Sequence, residues 1–188
     1  MFEEILFKIG KILEKNSLPY MIIGGQAVLL YGEPRLTRDI DITLGVNVDQ
    51  LDKLLSIAKE LSLTPIPEDI HSFVKETMVF PALENTTGIR VDFIFSYTPY
   101  ETQAIQRAVK RKILDQEVCF ASAEDVIIHK IFAGRPRDLE DVRTILLKKP
   151  YLDGTYITEW LKAFESASEG GDFLSVFERL RENLTRPV

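Results

Sequence analysis

Three aspartates carry the chemistry that is easiest to read from this chain. Asp39 and Asp41 bracket an isoleucine in DIDITL, residues 39–44, and Asp92 interrupts the apolar run IRVDFIF, residues 89–95. Alternation at period two makes both segments strands. Ile40, Ile42 and Leu44 then share one face, and Asp39, Asp41 and Thr43 the other. Side chains at i and i+2 of a strand lie roughly 6.5–7 Å apart along one face. Two carboxylates so placed repel unless a cation sits between them or one takes a proton. A hard divalent ion such as Mg²⁺ prefers oxygen ligands and removes the conflict. If 89–95 pairs beside 39–44, Asp92 reaches the same spot. Three such carboxylates can hold two ions about 3.5–4 Å apart, a pair that stabilises the attacking and leaving oxygens of phosphoryl transfer. The plain alternative is a set of solvated aspartates at a sheet rim. Aspartate is depleted in strands, and three in two short strands weigh against that alternative.

Gly24-Gly25 follows an apolar run and precedes a short helical one. Glycine admits a ligand close to the backbone, and free N–H groups at a helix start attract phosphate oxygens. The chain contains no GxxxxGK[ST] and no GxGxxG, so neither a Walker loop nor a dinucleotide fingerprint accounts for the pair.

The elements that must position these residues follow from periodicity and breakers. Helices are expected at 2–15, 26–31, 48–62, 99–109, 122–132, 137–149, 156–167 and 172–184. Strands are expected at 20–23, 39–44, 77–80, 89–95 and 117–121, with Pro65, Pro67 and Pro81 breaking up the stretch from 63 to 88. Alternating helices and strands followed only by helices give an α/β class: a mixed β-sheet with flanking helices and an all-helical C-terminal part. The expected division is a core over 1–121 and a helical region, packed on it, over 122–188.

Composition narrows the classes. The 188 residues include 23 basic and 29 acidic side chains, a formal net charge of −6. This excludes a uniformly basic nucleic-acid coat. Residues 100–150 run the other way, with 10 basic against 8 acidic residues, among them Arg107, Lys110, Arg111, Lys112, Lys130, Arg135, Arg137 and Arg143. They form either a solvated surface or a cationic wall facing a bound anion. One cysteine, Cys119, excludes an internal disulfide and suits a reducing compartment. MFEEILFKIG carries two glutamates before its first lysine, and no apolar run approaches the ~20 residues that span a bilayer. A cytoplasmic protein without membrane attachment is expected.

The ordered set GGQAVLLYGEPRLTRDIDITL (24–44), RVDFIF (90–95) and EDVIIHKIFAGRPRDLEDVRTIL (124–146) resembles the nucleotidyltransferase superfamily, which shares its catalytic core with polymerase beta. Within it, the pattern is similar to the minimal nucleotidyltransferases and the AbiEii-type toxins. The resemblance spans roughly residues 20–146, and 24–44 is its specific part. Gly24-Gly25 stands where many members carry Gly-Ser, so a serine hydroxyl to the triphosphate is missing. The resemblance implies a nucleotidyltransferase-like fold and a metal-dependent enzyme that moves a nucleoside monophosphate from an NTP, with ATP among the donors, to an acceptor hydroxyl. Asp39, Asp41 and Asp92 become metal ligands and catalytic residues, with Asp92 as base. Gly24, Gly25, Thr37, Arg38 and Lys130 become nucleotide-binding residues, with Arg137, Asp138 and Asp141 on a helix lining the cleft. Two Mg²⁺ ions are implied, with Mn²⁺ as a substitute. The acceptor classes are a tRNA end, a protein or a small molecule, and a toxin-like member brings an antitoxin partner. Two other functions compete: a catalytically silent NTP-binding or protein-interaction module, and another metal-dependent phosphoryl enzyme.

Overall fold

The computed structural model describes residues 1–168 and 170–185. It divides into two compact units, Met1–Gln26 with Leu36–Ala121, and Ala27–Arg35 with Ser122–Val188.

The first unit is built on one seven-stranded sheet. Its strands are β1 (Tyr20–Ile23), β2 (Asp39–Leu44), β3 (Leu63–Pro65), β4 (Val79–Glu84), β5 (Arg90–Phe95), β6 (Val109–Ile113) and β7 (Gln116–Phe120). The spatial order is β3-β4-β5-β2-β1-β7-β6. β2–β5 and β1–β7 are parallel and the other pairs antiparallel, which makes the sheet mixed as expected. Helices α1 (Phe2–Lys15), α3 (Leu51–Glu60), α4 (Ile70–Thr77) and α5 (Pro99–Gln106) belong to this unit. α2 (Gly24–Tyr31) begins in it and continues into the second.

Alternation fixes which face is buried. Ile40, Ile42, Val91 and Phe93 are fully buried, and Phe80 and Phe93 pack ring to ring with centroids 6.0 Å apart. Asp39, Asp41 and Asp92 occupy the intervening positions and are half-buried. Burying each apolar side chain contributes roughly 1.5–3 kcal/mol. Slipping a strand by one residue would exchange that face for the acidic one, so the register is held firmly. α1 packs its stripe of Ile5, Leu6, Ile9, Ile12 and Leu13 on β7. Gly10 lets the helix come close: a Cβ there would meet Val118 Cγ2 at 2.9 Å.

Three elements, β3, α4 and β6, fall outside the expected layout, and two others have different ends. The proline-broken stretch holds β3 and α4, and β4 runs over 79–84 instead of 77–80. Pro65 ends edge strand β3, and Pro81 lies within β4, which β3 and β5 flank. The expected helix over 99–109 stops at Gln106, and Val109–Ile113 (VKRKI) forms edge strand β6. Lysines on an edge discourage pairing with another chain. Lys110, Arg111 and Lys112 therefore lie on an edge three strands from β2, not on a wall beside the carboxylates.

The second unit contains most of α2 and helices α6 (Ala123–Ala133), α7 (Pro136–Lys148), α8 (Gly154–Ala167) and α9 (Phe173–Thr185). Ser122 caps α6 by accepting from the Asp125 N–H, and Gly134, at φ +65°, ends it. Asp125 is buried and accepts from Ser122 Oγ at 2.6 Å and Tyr156 Oη at 2.8 Å. The loop after α2 is stitched to α7. Arg35 donates to both oxygens of Asp141, the Glu33 N–H to Thr144 Oγ1, and Lys148 to the Gly32 carbonyl. Lys130 lies buried with its ammonium 2.6 Å from Asp138 and 3.0 Å from Asp141. Arg135 also donates to Asp138. Among the described residues no helix is long and apolar enough to cross a membrane.

Burial pushes the Asp138 carboxyl up, but hydrogen bonds from Arg135 and Lys130 outweigh it and leave it below the ordinary carboxylate range. A lowered folded-state pKa contributes stability above the unfolded value, near 3.9, which is lost as pH falls through the folded value. Replacing Asp138 by Asn is expected to cost about 3 kcal/mol at neutral pH, since it strips a buried cation of a partner. It should also flatten the loss of stability below about pH 4. Urea melts across that range check both, and an unchanged acid limb would contradict the assignment.

Candidate functional site

The site grows from the pairing of β2 with β5. Their register sets Asp41 directly beside Asp92 and Asp39 directly beside Arg90. All four side chains belong to the alternate positions that point away from Ile40, Ile42, Val91 and Phe93. The three aspartates read from the sequence therefore share one face of two neighbouring strands.

The turn out of β1 meets them. Ile23, the last residue of β1, pairs with Asp41, and Gly24 follows at φ +61°. A Cβ on Gly24 would lie 1.9 Å from Asp41 Oδ2, so the backbone lies against that carboxylate and only glycine fits. Gly25 has no positive φ and is buried at the start of α2. Thr37 is buried, and its hydroxyl donates to Asp39 Oδ1 at 3.0 Å, orienting that carboxylate. Arg38 is exposed. Lys130, Asp138 and Asp141 belong to the second unit, within the buried ion network described above, and Arg137 is exposed on α7.

One residue of the face carried no role in the sequence reading. Arg90 Nε donates to Asp92 Oδ1 at 2.8 Å and Oδ2 at 3.0 Å. The hydrogen bond to Asp92 raises the Arg90 pKa first of all; burial opposes it, and the charges of Asp92, Asp39 and Asp41 add to the rise. The signal was present: arginine two residues before aspartate on a strand shares its face.

The donor set can be tested against a divalent cation. Among the described residues no three acidic, histidine or cysteine side chains converge closely enough to hold a metal ion as they stand. Asp92 is held by Arg90, and one oxygen of Asp39 by Thr37. The chemistry nevertheless fits: three carboxylates in register on one face supply the hard oxygen ligands that Mg²⁺ prefers.

Comparison with known proteins bears on the family and the fold. A family model described as nucleotidyltransferase of unknown function (DUF6036) matches residues 2–161. A search of curated proteins finds no match. Among solved structures, the chain is similar to an antigenic nucleotidyltransferase-like protein from Paracoccidioides brasiliensis, at TM-score 0.57 and 17% identity over 94% of this chain and 91% of that one. It is similar to the antibiotic-resistance factor ANT(2'')-Ia in solution, at TM-score 0.58 and 18% identity over 96% and 97% of the two chains. A structure of ANT(2'')-Ia in complex with adenylyl-2''-tobramycin matches at TM-score 0.54 and 17% identity over 97% and 98%. The lincosamide antibiotic adenylyltransferase LnuA, lincomycin-bound, matches at TM-score 0.53 and 16% identity over 76% and 94%. At these identities the likeness shows the fold. The family match, covering most of the chain, shows more: this protein belongs to the nucleotidyltransferase family DUF6036.

Proposed function

We propose that the chain transfers a nucleoside monophosphate from an NTP to an acceptor hydroxyl with release of pyrophosphate, using the face of β2 and β5 as its catalytic surface. The observation that carries this reading is the register that sets Asp41 beside Asp92, with Asp39 on the same face and the Gly24 turn against Asp41. ATP is the donor to test first and a hydroxylated small molecule the first acceptor, because ANT(2'')-Ia is described with an adenylylated aminoglycoside and LnuA as an adenylyltransferase. A tRNA end, a protein hydroxyl and an antitoxin partner stay implications of the sequence resemblance.

Asp39, Asp41 and Asp92 would hold Mg²⁺ or Mn²⁺. Bound divalent ions supply charge neutralisation and polarised phosphoryl oxygens. The chain's own groups do the rest. The N–H groups of Gly24 and Gly25 open α2 and suit phosphate oxygens. Thr37 keeps Asp39 in one orientation. Arg38, exposed just ahead of Asp39, is a cation for the triphosphate. Lys130 keeps a nucleotide-binding role by the sequence resemblance alone, and its ammonium is held by Asp138 and Asp141. In the transfer, the acceptor oxygen bonds to the α-phosphorus, the bond to pyrophosphate breaks, and the hydroxyl proton passes to Asp92. Positioning and electrostatics supply most of the acceleration. The grip of Arg90 on Asp92 favours one second reading, nucleotide binding without transfer.

Incubation with Mg²⁺, NTPs labelled at the α-phosphate and acceptors of each class separates the two. Transfer that falls by roughly 10²–10³-fold in Asp39→Asn and in Asp41→Asn supports the first. Binding without transfer to any acceptor class supports the second, and full activity in both variants overturns the site. Gly24→Ala is expected to cost about 2 kcal/mol in strain and to abolish transfer, because its Cβ meets Asp41 in a left-handed backbone. Thermal melts with the same assay check this. Gly25→Ala, without a positive φ, should be the milder change.

A further inference from the structure

We infer that Arg90 is a positioning residue that competes with divalent cations for Asp92, so that the ion-free chain is closed by its own guanidinium and ion binding requires that guanidinium to leave. The inference rests on the carboxylate face being the metal site. Its geometry is specific. Arg90 lies two residues before Asp92 on β5 and directly across from Asp39 on β2. Its Nε spans both Asp92 oxygens, and it is half-exposed while Asp92 is largely buried. This single N–H, shared between the two oxygens, engages the carboxylate on the side from which a metal ion would draw its electron pairs.

The arrangement solves a problem that the register creates. Asp39, Asp41 and Asp92 share one face of β2 and β5, and the sheet cannot slip to separate them. Arg90 supplies one positive charge within the group when no ion does. Being half-exposed, it can swing to solvent at little desolvation cost, and there its charge is free to meet an incoming polyphosphate. Ion entry and nucleotide charge are thereby linked through one side chain.

The test is Mn²⁺ affinity, read by the electron paramagnetic resonance of free ion, with no nucleotide and no turnover. Arg90→Gln is expected to tighten Mn²⁺ binding roughly tenfold, the scale of one charge-assisted hydrogen bond removed from the competing state. Arg90→Lys, which keeps the charge and loses the shared Nε–H contact, should tighten it by less. In an Asp92→Asn background, Arg90→Gln should change little. Lys112→Gln removes a like charge on edge strand β6 and should leave the affinity as it is. Arg90→Lys equal to the parent while Arg90→Gln binds tighter would reduce Arg90 to a background charge and overturn the clamp. Unchanged or weaker binding in Arg90→Gln would overturn it too. Absence of millimolar Mn²⁺ binding in both parent and Arg90→Gln would overturn the metal site itself, which is a separable failure.

Discussion

Parallel pairing of β2 with β5 sets Asp41 beside Asp92, and the rest of that face has to accommodate the pair. Neighbouring strands lie about 4.8 Å apart, and two unit charges at about 5 Å repel by roughly 3 kcal/mol at an effective dielectric near 20. Ile40, Ile42, Val91 and Phe93 on the opposite face are fully buried, and each contributes roughly 1.5–3 kcal/mol. Hydrophobic burial therefore wins, the register holds, and the repulsion is left for a cation or a proton to meet. Arg90 meets part of it in this structure. The Gly24 turn then brings backbone against Asp41 at the one position where a side chain cannot stand.

The second unit solves an electrostatic problem of its own in another way. Asp138 and Asp141 are buried, and Lys130, Arg35 and Arg135 pair with them. Burying such charges stabilises little on balance, but removing one partner is costly. The network fixes where α6, α7 and the loop before Leu36 stand with respect to one another. That loop leads directly into Thr37 and Asp39. Lys130, which the resemblance assigns to a nucleotide, thus also helps hold this unit together.

Much of the acidic face was legible in the sequence because period-two alternation is a local property. DIDITL and RVDFIF declare both the buried face and the acidic one without knowledge of the rest of the chain. Their adjacency was only a condition, since strand order depends on distant segments. β3, α4 and β6 escaped for different reasons. Prolines at 65, 67 and 81 masked short elements, and VKRKI is charged because it is an edge, where alternation is not enforced by burial. Arg90 was readable as a same-face neighbour of Asp92, yet its partner depends on side-chain geometry. The pairing of Lys130 needed two aspartates from the next helix, which spacing alone does not single out.

The most direct test of the central claim is anomalous diffraction from crystals grown with Mn²⁺ and an NTP analogue that cannot be cleaved after the α-phosphate. Manganese peaks ligated by Asp39, Asp41 and Asp92 are expected, with the guanidinium of Arg90 displaced from Asp92 and the triphosphate beside Gly24 and Gly25. Manganese bound elsewhere, or a nucleotide bound while Arg90 still holds both oxygens of Asp92, would contradict it.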